Sequence, residues 1–376
     1  MQFRDLGAQY QHLKADIDQG IEEVISSSGF ILGKKVTELE NKLAEYVGRK
    51  HCVGCANGTD ALQLVLMAWG IGAGDAVFTS DFTYFASAGT SSILGATPVL
   101  CDIDPRTFNI DPDALEEQIR RVIAEGKLTP KVILPVDLFG QPADYPRLEA
   151  IARKYGLLML EDGAQGLGGN IRGRKACSFG DASTTSFFPA KPLGCYGDGG
   201  AVFTDDDEMD ATLRSLRAQG RSPEDKYDNR AIGMNSRLDT LQAAILLPKF
   251  KALVDYELEA VNRVASRYTE RLRDVVATPL LKDGFYSSWA QYSILLGDAP
   301  QRNGLQSALK ADGIPTMIYY PRGLHQQTTY AGMKLPAGWY PNTVASTQRI
   351  LNLPMHPYLD EATVDDIANR IRQYVK

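Results

Sequence analysis

The chain of 376 residues is poor in several things that would have named a class at once. It has five cysteines, an odd number scattered from Cys52 to Cys195, so no paired disulfide framework is read and reduced thiols in the cytoplasm are expected. Four histidines, His12, His51, His325 and His356, show no metal spacing. Positive charge is not in excess: 40 Lys and Arg against 46 Asp and Glu leave a formal charge of −6, which argues against a nucleic-acid binder. No apolar run approaches the roughly 20 residues that cross a bilayer, and Met1-Gln2-Phe3-Arg4-Asp5 lacks the plan of a signal peptide. Internal repeats and low-complexity tracts are missing too. What remains is an ordinary soluble composition, 44% hydrophobic and 23% charged, long enough for a large domain and a smaller one.

From residue 51 onward strands and helices alternate. Short apolar runs at 51–56, 75–80, 96–101, 131–136, 157–161, 181–187 and 200–204 predict strands; helices are predicted near 58–70, 84–94, 112–125, 144–155 and 205–218. The pattern is that of an α/β domain with a mainly parallel seven-stranded sheet. Before it lie a short arm, Phe3-Arg4-Asp5-Leu6, and two helices marked by Ile17, Ile21, Val24 and by Val36, Leu39, Leu43. Residues 237–275 read as helix with a kink or break at Pro248. Beyond 276, short strands, loops and a last helix at 361–375 predict a smaller α+β domain. The division expected is 1–250 for the arm and large domain and 251–376 for the small one.

The chemistry centres on Ser186-Phe187-Phe188-Pro189-Ala190-Lys191-Pro192-Leu193-Gly194, followed by Gly197, Gly199 and Gly200. The four glycines let the backbone turn tightly or left-handed beside a bound group. A lysine among aromatic and small residues is desolvated, which lowers its pKa and frees the amine as a nucleophile. An isolated lysine of this kind would be a surface residue; Asp162-Gly163-Ala164-Gln165, closing an upstream strand, changes the reading. A carboxylate there can hold a pyridine nitrogen protonated, although a lone Asp is more commonly a helix cap. Asn57-Gly58-Thr59-Asp60 opens a helix after a strand, a place for an anion or for a plain N-cap. Tyr84 reads equally as a ring partner or as core. Other patterns fail: Gly29 to Gly33 has the wrong P-loop spacing, Gly166-Leu167-Gly168 meets Ile171 where a third glycine belongs, and the lone Cys52-Val53-Gly54-Cys55 reads as small core residues.

Taken together, Phe30 to Gly33, Asn57 to Leu62, Phe82-Thr83-Tyr84, Glu161 to Gln165, Ser186 to Gly200 and Gly233 to Asp239 resemble the DegT/DnrJ/EryC1/StrS family of sugar aminotransferases, which use pyridoxal 5′-phosphate (PLP). The resemblance implies the type I, aspartate aminotransferase-like PLP fold and a homodimer with shared active sites. It implies Lys191 as the catalytic lysine that binds the cofactor, Asp162 on the ring nitrogen and Gln165 near the ring hydroxyl. Tyr84 would stack on the ring, and Gly58, Thr59 and Ser186 would hold the phosphate. Asn235 would reach the neighbouring subunit's phosphate. Arg237, Tyr319, Tyr320 and His325 are the substrate candidates. The finer similarity, in Asn235 to Ala244 and Phe187 to Asp198, is to members that aminate C3 of UDP-linked 3-oxo N-acetylglucosamine or its uronic acid, with glutamate as donor, for surface polysaccharides. Some uronate enzymes carry His-Tyr-Pro where this chain has Tyr319-Tyr320-Pro321. Amination at C3 or C4 of a dTDP-linked keto-deoxyhexose, or non-catalytic regulation by a sugar-nucleotide binder, are the alternatives. No metal, nucleic acid or membrane partner is implied.

Overall fold

Each predicted apolar run becomes a strand of one sheet, and most of the strands are buried on both faces, as strands between helical layers must be. The computed structural model describes residues 1–225 and 227–375. Its strands are β1 (His51–Cys55), β2 (Asp75–Ser80), β3 (Thr97–Cys101), β4 (Thr129–Leu134), β5 (Leu158–Asp162), β6 (Ala182–Ser186) and β7 (Gly200–Thr204). Their spatial order is β1-β7-β6-β5-β4-β2-β3. From β3 across to β6 all neighbours are parallel. β7 alone is reversed, antiparallel to β6 on one side and to β1 on the other.

Helices cover both faces. They are α1 (Leu6–Ser27), α2 (Lys34–Val47), α3 (Gly58–Ala68), α4 (Ala86–Ile93), α5 (Pro112–Glu125), α6 (Tyr145–Tyr155), α7 (Asp207–Leu216) and α8 (Thr240–Ala252). On one face α3 and α7 pack Leu62, Val65 and Leu213 onto Val53, Val77, Leu160 and Val202. On the other, α5 and α6 bring Ile119 and Leu148 onto Phe78 and Ile133, while α2 and α8 bring Leu39 and Leu246 onto Cys52 and Phe203. Each such side chain contributes about 1.5–3 kcal/mol on burial. Cys52 and Cys55 thus lie in the cores on opposite faces of β1, as small apolar residues.

Two expectations need correction. Pro248 does not break its helix: α8 runs through it to Ala252, and the irregularity comes five residues later as a wide π-turn, Leu253–Glu257, that leads into α9 (Leu258–Leu272). The C-terminal part is also more helical than its composition suggested. α10 (Ala299–Ala311), α11 (Pro341–Arg349) and α12 (Glu361–Val375) accompany an antiparallel pair, β8 (Tyr292–Leu295) and β9 (Ile350–Leu353). Val264, Leu305, Ile294, Leu351 and Ile367 form its own core. Asp298 caps α10, accepting from the Gln301 N–H at 2.8 Å, and Pro300 stands in its first turn. Among the described residues no helix is long and apolar enough to cross a membrane.

Candidate active site

The carboxyl ends of β1, β5 and β6 and the loop after β2 open on one cleft of about 390 Å³, the place where parallel α/β sheets bind ligands. Gly58, Thr59, Tyr84, Asp162, Gln165, Ser186 and Lys191 all line it, together with Tyr319 and Tyr320 from the C-terminal part. These residues were read from five separate segments, and the fold gathers them.

Lys191 sits on the loop between β6 and β7, which is pinned at its root. The Phe187 N–H donates to the Gly199 carbonyl at 2.7 Å, and the Cys195 N–H to the Phe187 carbonyl at 2.8 Å. Gly194 is required there by contact, since a Cβ would stand 2.3 Å from the Pro189 oxygen. None of the four glycines 194, 197, 199 and 200 takes a left-handed conformation; close approach to backbone, not positive φ, selects Gly194 and Gly200. The half-buried Lys191 amine is pushed down to about 8, first by desolvation and then by the Arg4 cation, while Asp162 pulls it up. A substantial neutral fraction follows at mildly alkaline pH.

Asp162, at the end of β5, is buried. The Ser87 hydroxyl donates to its Oδ2 at 2.8 Å and the Ala164 N–H to its Oδ1 at 3.2 Å. Desolvation raises its pKa, and Ser87, Ala164 and Lys191 counter that rise in descending order. A buried carboxylate with a cationic partner wanting is suited to a protonated ring nitrogen. Behind it lies a buried carboxyl pair, Asp137 and Glu161, both raised chiefly by desolvation. Gln165 Oε1 accepts from the Phe139 N–H at 2.7 Å, leaving its amide nitrogen towards the Tyr320 hydroxyl at 3.4 Å. Asn57, not Thr59, caps α3, accepting from the Asp60 N–H at 2.8 Å. Gly58 then presses on β6 so closely that a Cβ would lie 2.7 Å from Ser186 Cβ. The free helix N-terminus and the Ser186 hydroxyl thus form a cradle that a phosphate fits.

Three candidates stand elsewhere. Asn235 and Arg237 do not line the cleft in their own chain; the Arg237 guanidinium donates to Asn235 Oδ1 at 2.6 Å, and Asn235 is exposed. His325 is buried rather than facing a substrate. Its Nδ1 lies 2.6 Å from Asp81 Oδ2, its ring stacks on Tyr340, and its backbone N–H donates to Asp81 Oδ1 at 2.7 Å. It fastens the segment after Tyr320 to the end of β2. Sequence reading missed Ser87, Asp198 and Gln291. Ser87 was within reach, three residues past Tyr84 in the first turn of α4; nothing local marks Gln291, which only tertiary packing brings to the cleft.

Comparison with known proteins agrees with this geometry. A Brucella abortus DegT DnrJ EryC1 StrS aminotransferase of known structure is 49% identical, with a TM-score of 0.96 over 100% of this chain and 99% of that one. The Pseudomonas aeruginosa UDP-2-acetamido-2-deoxy-3-oxo-D-glucuronate aminotransferase is 46% identical over 97% of each chain. A Geobacillus stearothermophilus protein named as a pleiotropic regulatory protein is 43% identical over 99% of this chain and 98% of its own. Solved structures of this fold include one with pyridoxamine phosphate, the amine form of PLP, bound. The pattern of the DegT/DnrJ/EryC1/StrS aminotransferase family matches residues 11–372, nearly the whole chain, and the chain therefore belongs to that family of PLP-dependent enzymes.

Proposed function

We propose that this aminotransferase moves an amino group from glutamate to the C3 ketone of a UDP-linked 2-acetamido sugar, 3-oxo-N-acetylglucosamine or its uronic acid, in the cytoplasm and for surface polysaccharide. The observation that carries the reading is the amine of Lys191, held near pKa 8, in one cleft with the buried Asp162 carboxylate. A regulator that only bound a sugar nucleotide would have no physical use for that pair.

Bound PLP supplies an electron sink that makes the donor Cα–H acidic. Everything else falls to the chain. Gly58 and Thr59 N–H groups and the Ser186 hydroxyl would hold the phosphate; Tyr84 would cover one ring face and Gln165 the ring hydroxyl. Asp162 would keep a proton on the ring nitrogen, and the Ser87 hydroxyl, donating to its Oδ2, holds Asp162 oriented. Lys191 Nζ, neutral at the moment of use, takes the proton from the donor Cα and in the second half delivers one to C3 of the sugar. Tyr319 and Tyr320 wall the sugar side of the cleft.

Among the described residues lining the cleft, Lys191 is the single cation, so a diphosphate and a uronate would draw on charge from outside it. We infer that the Asn235–Arg237 pair of a second subunit supplies it in a homodimer. Ile232, 90% exposed on the same segment, supports a covered surface there.

The test is a screen of UDP- and dTDP-linked keto sugars with glutamate, the product identified by mass spectrometry and NMR. Nitrogen on C3 of a UDP-linked acetamido sugar is expected; nitrogen on C4, or turnover of dTDP sugars alone, overturns the assignment. Arg237→Ala should cost the uronate about 10²-fold or more in kcat/KM relative to the neutral sugar if it pairs with the carboxylate. An equal loss on both would move the arginine to the diphosphate.

A further inference from the structure

The short arm ahead of α1 has no part in the reading above, yet it touches the site from behind. The Arg4 guanidinium donates from Nη2 to the backbone carbonyl of Lys191 at 2.8 Å. One residue earlier, the Phe3 ring meets Tyr319 edge-on, with centroids 6.3 Å apart at 73°. The Phe3 carbonyl accepts from the Met355 N–H at 3.1 Å, in the C-terminal part. Asp5 closes the arm by capping α1, accepting from the Ala8 N–H at 2.8 Å. Three consecutive residues thus tie the lysine loop, the tyrosine wall of the cleft and the start of a long helix to one another.

We propose that Phe3-Arg4-Asp5 is a strap across the back of the active site, in which Arg4 is a positioning residue that fixes the Lys191 backbone relative to the Tyr319 wall. A hydrogen bond to a main-chain carbonyl constrains the root of the lysine and leaves its amine free to move protons. Arg serves better than Lys here, because a guanidinium can keep a directed bond while its charge is shared with other neighbours. Those neighbours are Glu257 and Tyr358, which favour the Arg4 charge against the burial that brings it down to about 10, and Lys249 and His356, which the same charge disfavours. Lys191 in turn has Arg4 behind it, Asp162 and Asp198 in the cleft, and Tyr84, Tyr319 and Tyr320 around it. The strap therefore has a mechanical effect, on the loop, and an electrostatic one, on the amine.

This inference rests on Lys191 as the PLP-binding lysine, so the wild-type protein is tested first. Borohydride should fix PLP to the peptide containing Lys191; fixation elsewhere defeats the functional reading and leaves hydrogen exchange to judge the strap. Arg4→Gln, Arg4→Lys and Phe3→Ala are then made in the full chain. Arg4→Gln removes a cation from behind the amine, so the pH midpoint of the bound cofactor's visible absorbance should rise by about half a unit. Its kcat should fall roughly tenfold with KM for the donor changed less than about threefold. Arg4→Lys should restore the midpoint but not kcat, which separates charge from geometry. Hydrogen exchange of peptides covering 187–199 should quicken in Arg4→Gln and in Phe3→Ala, even in the absence of cofactor. An unchanged midpoint and kcat in Arg4→Gln overturn the electrostatic and positioning roles. Wild-type exchange in both variants overturns the strap. Should Arg4→Gln fail to fold, Phe3→Ala alone decides by its exchange.

Discussion

Two lysines meet at one loop, Lys191 half-buried and Lys249 fully buried, and both amines are pushed down to about the same pKa. Lys191 projects from the loop into the cleft, while Lys249 on α8 lies under it, its ammonium 4.7 Å from the centre of the Tyr196 ring. Both are pushed down to about 8, in each case first by desolvation and with Arg4 adding to it. Lys249 is 1% exposed and its Nζ has no hydrogen-bond partner among the described residues. A depressed lysine pKa therefore does not mark a catalytic amine. What separates the two is what the amine faces: an open cleft and the carboxylate of Asp162 for one, an aromatic ring and packed helix for the other. Perturbed titration points to function only with space and a reacting partner beside it.

The largest effect that sharpens this contrast is loss of the first amine. Lys191→Ala should lower turnover by at least about 10³-fold and abolish borohydride fixation of PLP, whereas Lys249→Met should keep fixation at Lys191. Turnover and peptide mapping read both; fixation through Lys249 in the Lys191→Ala protein, or loss of fixation at Lys191 in Lys249→Met, would break the distinction. Next comes the partner. Asp162→Asn should still bind PLP but lose roughly 10²-fold in the donor half-reaction, because a neutral amide no longer holds the ring nitrogen protonated. Unchanged single-turnover kinetics would leave Asp162 a structural residue.

The third effect is on stability and has a sign. The fold holds the Lys249 amine at about 8, against 10.5 when solvated. The protonated amine therefore weakens the fold below pH 8, and the penalty fades as pH rises towards 10.5. Lys249→Met should stabilise the apoprotein by about 1–3 kcal/mol at pH 7 and by much less at pH 10, measured by denaturant unfolding at each pH. A gain of the same size at both would mean that packing, not charge, is what the substitution changes.

The lysines also show what a sequence discloses. Lys191 stood out because its signals are local: an apolar strand, an aromatic pair, a dense run of glycines. Asp162 and Gly58 were legible for the same reason, each at the junction of a strand with the next turn or helix. All seven strands were found within a few residues, since buried runs in an α/β layer announce themselves by composition. Lys249 was invisible, one of two lysines in the last turn of an apolar helix, set apart from Lys251 by the distant Arg4 and Tyr196 that the fold brings to it. His325 was misjudged because its partner, Asp81, lies 244 residues off. α10 and α11 were lost where buried apolar positions are few; in α10 only Leu305 and Leu309 are buried apolar residues. The Asn235–Arg237 pair lies outside the cleft of its own chain, and the role proposed for it needs a second subunit.

The reversed strand β7 has a consequence in time rather than in space. β6 and β7 pair through a short connection, but β7 must also find β1, where His51 pairs with Thr204 across more than 150 residues of intervening chain. Long closures of this kind come late and slowly in folding. The phosphate cradle is made by β1's outgoing helix and the end of β6, with β7 as the piece between them. During synthesis, then, the N-terminal 200 residues leave the ribosome with every strand but the bridging one, and none of those shorter chains can present a finished cradle. On the proposed reading, cofactor capture would wait for molecules whose sheet has closed, and PLP would act as a late stabiliser of completed subunits rather than as a nucleus for folding.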